Sequence, residues 1–277
     1  MTDESITIKL SGWIKTNSTG LNHLLSFYHA LAKYRDVNVL VDFSELKWID
    51  ANMIALFNAV EYKLNKENNI TLVTDMDYLA SKFSVLFRNG AVSDDSIAIS
   101  DVQLTTLPYK IFFPLEQKEF AVYVNDQLMQ HRGVAHKIEE RFKNRIKRDL
   151  IEISTNIFRH AQTTDPFFVC GQYYPKNRAF IFTMVDLGVG FLRPINAFDP
   201  TIVTDYEAIK WALNGNTTKT DENGGLGLSG ILDYFQDNGG DFHICTGYTY
   251  WSKSSDNPSQ RLKHPFLGTF VSLCFNY

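Results

Sequence analysis

The stretch LIEISTNIFRHAQTT, residues 150–164, constrains this chain more than any other. Leu150, Ile153, Ile157 and Phe158 recur at helical spacing, which predicts an amphipathic helix. Four helical steps advance ~400°, a net drift of only ~40°. Glu152, Asn156 and His160 therefore share one slightly skewed column beside the apolar face. Such a helix must lay its apolar stripe on another layer. It then holds an acid, an amide and an imidazole along one edge. Taken alone, the column also reads as a solvated stripe.

Two glycine-marked loops follow. Asp186-Leu-Gly188-Val-Gly190-Phe191 sets an acid at the end of an apolar strand, ahead of two glycines. Glycine permits backbone approaches that a Cβ forbids, and an acid so placed can accept a hydrogen bond from an exocyclic amine such as that of adenine. Residues 223–230, NGGLGLSG, carry Gly224, Gly225, Leu226, Gly227 and Leu228 straight into a helix. Free amides at a helix N-terminus suit phosphate. Each loop alone has a plainer reading, an Asp-capped turn in one case and a flexible turn with an N-cap in the other. Their order and spacing add weight: Asn156 to Asp186 is 30 residues, and Asp186 to Gly224 is 38.

The first hundred residues alternate strand and helix signals. SITIKL and NITLVTD read as strands, and NVLVDFS as a buried one. LNHLLSFYHALAKY and ANMIALFNAVEYKLNKEN read as helices, the second with Asp50 as N-cap. DYLASKFSVLFRNG reads as a helix closed by Gly90. This alternation predicts an α/β layer. The period fades over IAISDVQLTTLPYK, which sets a boundary near 105–115. The second half opens with a polar-to-basic helix over about 124–149, running into the helix above. FFVCGQYYP and AFIFTMVD predict an antiparallel pair, DYEAIKWALNG a helix, and DFHICTGYTYW and GTFVSLCFNY closing strands. The expected layer is α+β: helices on one face of a mostly antiparallel sheet.

The ordered set E-x3-N-x3-H, D-x-G-x-G and G-G-x-G-L resembles the ATP-binding domain of the GHKL (histidine kinase-like, Bergerat) superfamily, which includes gyrase-type topoisomerases, histidine kinases and anti-sigma-factor serine kinases. The likeness covers about residues 115–277 and includes the closing Gly268-Thr269 strand. It implies a two-layer α+β domain with ATP and Mg²⁺ as cofactors. Asn156 would ligate Mg²⁺, which takes few protein ligands besides water and phosphate. Glu152 would stand near the γ-phosphate as catalytic general base, with Arg159 and His160 near phosphate oxygens. Asp186 would hold the adenine amine, with Gly188 and Gly190 allowing close packing of the base and Thr269 supporting the acid. Gly224, Gly225 and Gly227, with Leu226 and Leu228 in the same motif, would cradle phosphates at the base of a lid over 214–223. Lys219 is a candidate phosphate contact there, though a solvated lysine is the plainer reading.

The segment VDFSELKWIDANMIALF, residues 41–57, resembles the STAS fold of anti-sigma-factor antagonists, over about residues 5–90 within a unit 1–105. That family carries a phosphorylatable Ser or Thr at the start of this helix. Here Ala51 and Asn52 stand after Asp50, and neither can carry a phosphoester. A STAS-like unit without the switch implies a docking or regulatory module.

The remaining features narrow the function. A net charge of −4 without a long single-sign block argues against nucleic acid. Three scattered cysteines read as buried thiols of a reducing cytoplasm. The N-terminus lacks the marks of a signal peptide, and no apolar run reaches the ~18 residues of a membrane helix. A histidine kinase would need an acceptor on a dimerising hairpin, whereas His131 and His136 read as surface histidines on one helix. The leading expectation is an ATP/Mg-binding signalling protein of the anti-sigma serine/threonine kinase type. Its expected partners are ATP and a second protein, regulator or phosphoacceptor, with a homodimer left open and neither nucleic acid nor membrane. The competing expectation is a nucleotide-gated interaction module without catalysis.

Overall fold

The computed structural model describes residues 6–92, 96, 97, 99–160, 163–218 and 226–277. It is a mixed α/β protein, and the layers follow from which side chains must leave water. In the first unit β1 (Ile6–Lys9), β3 (Val37–Asp42) and β5 (Ile70–Val73) form a parallel sheet in the order β1-β3-β5. β2 (Gly12–Ile14) pairs in parallel with β4 (Leu46–Ile49) beside it. Helix α1 (Ser18–Leu31) begins at Asn17, whose side chain accepts from the Gly20 amide at 3.0 Å. Helix α2 (Ile54–Asn68) follows a 3₁₀ turn, Ala51–Met53. α3 (Met76–Lys82) and α4 (Val85–Arg88) replace the single helix expected before Gly90. The chain leaves helical geometry at Phe83, and Gly90 closes the segment at φ +73°.

The second unit is built on a seven-stranded antiparallel sheet. Its order is β11-β10-β9-β12-β8-β7-β6, among the described residues. The strands are β6 (Thr106–Phe112), β7 (Phe167–Tyr174), β8 (Ala179–Asp186), β9 (Asp241–Thr246), β10 (Thr249–Ser252), β11 (Ser259–Arg261) and β12 (Thr269–Asn276). One face carries α5 (Gln117–Tyr123), α6 (Glu140–His160) and α9 (Leu226–Asn238), packed on Phe167, Phe180, Phe182, Phe242 and Leu273. α7 (Leu192–Phe198) and α8 (Asp205–Leu213) lie in the connection after β8. The helix expected over 124–149 is split: Val124–Leu128 continue α5 as a π-helical turn, and α6 begins at Glu140. Residues 129–139 instead form turns, drawn down where Gly133 meets the rings of Tyr173 and Phe180. His131 belongs to this turn and packs on Phe180 at 5.0 Å, so it is not the surface histidine expected.

The other face of this sheet is also covered. Phe168, Cys170, Val185, Cys245 and Phe270 share one core with α1 and α2. The chain thus stacks a parallel sheet, helices, an antiparallel sheet and more helices. The boundary region holds β6, an edge strand of the larger sheet. A register shift between Leu107 and Lys110, around Pro108, broke its period in the sequence. Two further expectations change. β3 is buried on one face only, with Leu40 41% exposed on the other. Asp50 does not cap α2. Its carboxylate accepts from the Thr16 amide (2.8 Å), Trp48 Nε1 (2.7 Å) and the Tyr174 hydroxyl (3.2 Å), so tertiary partners outcompete the cap.

Candidate functional site

α6 lies across the inner face of the sheet because Ile146, Leu150 and Ile153 are buried there. This register brings Asn156, one turn after Glu152, to the ends of β8 and β12. β8 ends at Asp186, which pairs with Thr269, the first residue of β12; Thr269 pairs in turn with Thr246 of β9. Between α6, these strand ends and α8 lies a cavity of about 130 Å³. Ile153, Ile157, Met184, Ile195, Leu228 and Val271 form its apolar walls. Asp186, Thr269, Asn156 and the segment Asn216–Thr218 supply polar groups, and Phe191 and Trp211 add aromatic surface.

Asp186 is 3% exposed. The Gly188 amide donates to its Oδ1 at 2.8 Å, and the amide and hydroxyl of Thr269 also donate to it. Burial nevertheless wins over these hydrogen bonds and pushes the carboxyl up to about 6. The glycines explain the close approach. Gly190 is left-handed at φ +71°, and a Cβ there would overlap the Thr246 hydroxyl, which accepts from the Phe191 amide at 3.2 Å. A Cβ at Gly268 would overlap the Asp186 carbonyl.

At the cavity wall, Asn156 Oδ1 is shielded from solvent and has no hydrogen-bond partner among the described residues. A buried orphan acceptor is costly, and native structures rarely leave one without a reason. An amide oxygen facing a cavity suits a hard cation shared with ligand oxygens and water. No group of three or more His, Cys, Asp or Glu among the described residues could hold a metal by itself.

Glu152 lies one turn back and is not part of the cavity lining. Its Cβ is beside Gly227 of α9. Gly227 and Gly230 let α9 press against α6: a Cβ at Gly227 would meet the Asp149 carbonyl at 3.0 Å, and one at Gly230 would overlap the Asp149 carboxylate. That carboxylate is fully buried, raised by desolvation, and held by Arg148 Nη2 at 2.8 Å. Gly227 therefore has a packing role, and Leu228 reaches the cavity.

The structure thus brings Asn156, Asp186, Gly190, Thr269 and Leu228 together, with Gly188 holding Asp186 from the side. Arg159 and His160 continue the helix backbone, as Leu226 opens α9, but their side chains lie outside the described residues. Lys219, Gly224 and Gly225, and with them most of the expected lid, lie wholly outside. Reading the sequence missed Phe191, Trp211 and Thr246. Phe191 adjoins the D-x-G-x-G motif, and Trp211 shares the α8 helix with no motif to mark it. Thr246 could be found only by pairing β9 with β12. No protein-family model matches the chain, and no curated protein matches it.

Proposed function

We propose that the chain binds ATP with Mg²⁺ in this cavity and regulates a partner protein as a GHKL-type serine/threonine kinase of the anti-sigma class. One observation carries the reading. A buried carboxylate, raised to about 6, floors an apolar cavity whose wall holds an orphan amide oxygen. Burying a carboxylate there is unfavourable unless a ligand uses it. A planar base with an exocyclic amine fits that demand, donating to Asp186 while Met184, Ile157 and Val271 cover its faces.

Asn156 Oδ1 would hold Mg²⁺, which when bound neutralises phosphate charge. Glu152 would take the proton of a partner's hydroxyl as that oxygen bonds to the γ-phosphorus and ADP departs. Thr269 and Gly188 oppose the rise of Asp186 and aim its carboxylate. Calorimetric titration with a non-hydrolysable ATP analogue, with and without Mg²⁺, tests the reading. Binding that Asp186→Asn abolishes, and whose Mg²⁺ dependence Asn156→Ala removes, supports it. No binding at millimolar nucleotide overturns it.

Two observations favour the second reading, a nucleotide-gated module without phosphotransfer. Glu152 stands beside Gly227 and not in the cavity lining. In the first unit, read here as STAS-like, Ala51 and Asn52 are fully buried against the larger sheet. The Ala51 amide donates to Gln172 Oε1 at 3.0 Å, and Asn52 Nδ2 to Thr183 Oγ1 at 2.9 Å. The turn that carries the switch in that family is here a fixed contact. Glu152→Ala separates the two readings: lost phosphate transfer with ATP binding intact favours the kinase, and unchanged partner regulation favours the module.

A further inference from the structure

Two clefts meet on the far side of the larger sheet from the nucleotide cavity. They enclose about 350 and 390 Å³ and share Asn58, Glu61, Leu72 and Ala91. One is walled within the first unit by Phe43, Phe57 and Met76. The other lies between α2 and the second unit, whose Tyr109, Ile111 and Phe168 close it. Glu61 projects from α2 where the two join.

Every other described side chain along either cleft is uncharged. Glu61 has no hydrogen bond or ion pair among the described residues, and its carboxyl is raised, through desolvation alone. Its neighbours are otherwise engaged. Asn58 Nδ2 donates to the Ala91 carbonyl at 3.3 Å, Asn65 Nδ2 to the Ile70 carbonyl at 3.3 Å, and the Tyr62 hydroxyl donates to Asp165 at 3.1 Å. The contrast with the neighbouring turn of α2 is direct: Lys63 pairs with Glu67 at 2.6 Å, and Lys66 with Asp165, while no cation among the described residues pairs with Glu61.

We propose that this double cleft binds a small organic cation, an amine with an apolar body, whose ammonium pairs with Glu61. The size suits a small molecule, since ligand sites run to several hundred Å³ and are mostly apolar with few polar anchors. The chemistry excludes the simpler occupants. A neutral ligand filling the cleft would cut the half-buried carboxylate off from water without giving it a partner. A hard metal ion needs several oxygen ligands, and Glu61 is the one carboxylate among the described residues that line the clefts. Tyr62, Tyr109 and Phe168 add ring surface that attracts an ammonium group. Because the second cleft has one wall from each unit, its occupant would bridge them. The site does not depend on the nucleotide reading, and its test needs no nucleotide.

The test titrates the full chain calorimetrically with 2-phenylethylammonium and with its neutral isostere 2-phenylethanol. Wild type is expected to bind the amine on the order of tenfold more tightly. Glu61→Gln should bring the two probes to parity, and it should melt cooperatively at or above the wild-type temperature, because an unpaired carboxylate has been removed. Ile111→Trp, at an edge position 38% exposed, should weaken the amine by filling the interunit cleft. Equal affinity of wild type for both probes, no saturable amine binding at millimolar concentration, or an amine preference that survives Glu61→Gln overturns the proposal.

Discussion

At the scale of single residues, Asp186 sets the pH response. Its carboxyl moves from an ordinary 3.8 to about 6 on folding. The folded state therefore holds the proton more tightly than the unfolded one. Stability from this group is complete below about 3.8, falls as pH rises, and is fully lost above about 6. The difference is on the order of 3 kcal/mol, at 1.36 kcal/mol per pH unit. Urea denaturation at pH 4.5 and 7.5 should show a flatter profile for Asp186→Asn than for wild type. The affinity for the proposed nucleotide should run the opposite way, weakening as pH falls through about 6, because the protonated acid would be a poorer acceptor for a base amine. Titration of the ATP analogue at pH 5.0 and 7.5 checks it.

At the scale of elements, the contact of α6 with α9 decides whether the cavity keeps its shape. Asp149 is pinned by Arg148, with Arg145 Nε 3.8 Å from its other oxygen, so it cannot swing aside to admit a methyl group at Gly230. Gly230→Ala should destabilise the protein by about 1–3 kcal/mol, the usual cost of overpacking. Adding Asp149→Ala should recover part of that loss, a coupling that a double-mutant cycle in urea would measure. This contact explains why the glycine loop was only half legible. Its glycines stand out in the sequence, but Gly227 faces a helix 75 residues earlier, and spacing cannot tell a phosphate cradle from a close crossing. The α6 stripe was legible because Leu150 and Ile153 repeat with the helical period. β6 was not, because Pro108 and the register shift erase the alternation.

At the scale of the whole molecule, the first unit is the second cover of the larger sheet. A chain lacking residues 1–105 would expose Phe168, Cys170, Val185 and Phe270 together, a contiguous apolar face of the kind that drives association. It should aggregate or bind a hydrophobic dye strongly, as light scattering would show. Within the contact, Asn52 donates to Thr183, which donates on to Ser272 at 3.0 Å. Asn52→Ala should cost about 1–3 kcal/mol by leaving buried partners unsatisfied, measurable as a lower urea midpoint. The second cover had a trace in the sequence: FFVC and AFIFTMV are apolar on both strand faces, where a sheet with one wet face would alternate.

What the sequence determined by itself is local. Periodicity set α1, α2 and α6, strand runs set β7 and β8, and the acid–glycine pattern marked Asp186 and its turn, because each depends on neighbours within a few residues. Tertiary structure alone decided the rest. It released Asp50 from its cap to serve Thr16, Trp48 and Tyr174, buried Ala51 and Asn52 against a sheet more than a hundred residues away, brought Thr246 against Gly190 behind the cavity wall, and left Glu61 without a cation among the described residues between two units. These outcomes depend on which surfaces meet, and meeting is settled by the joint burial of faces far apart in the chain.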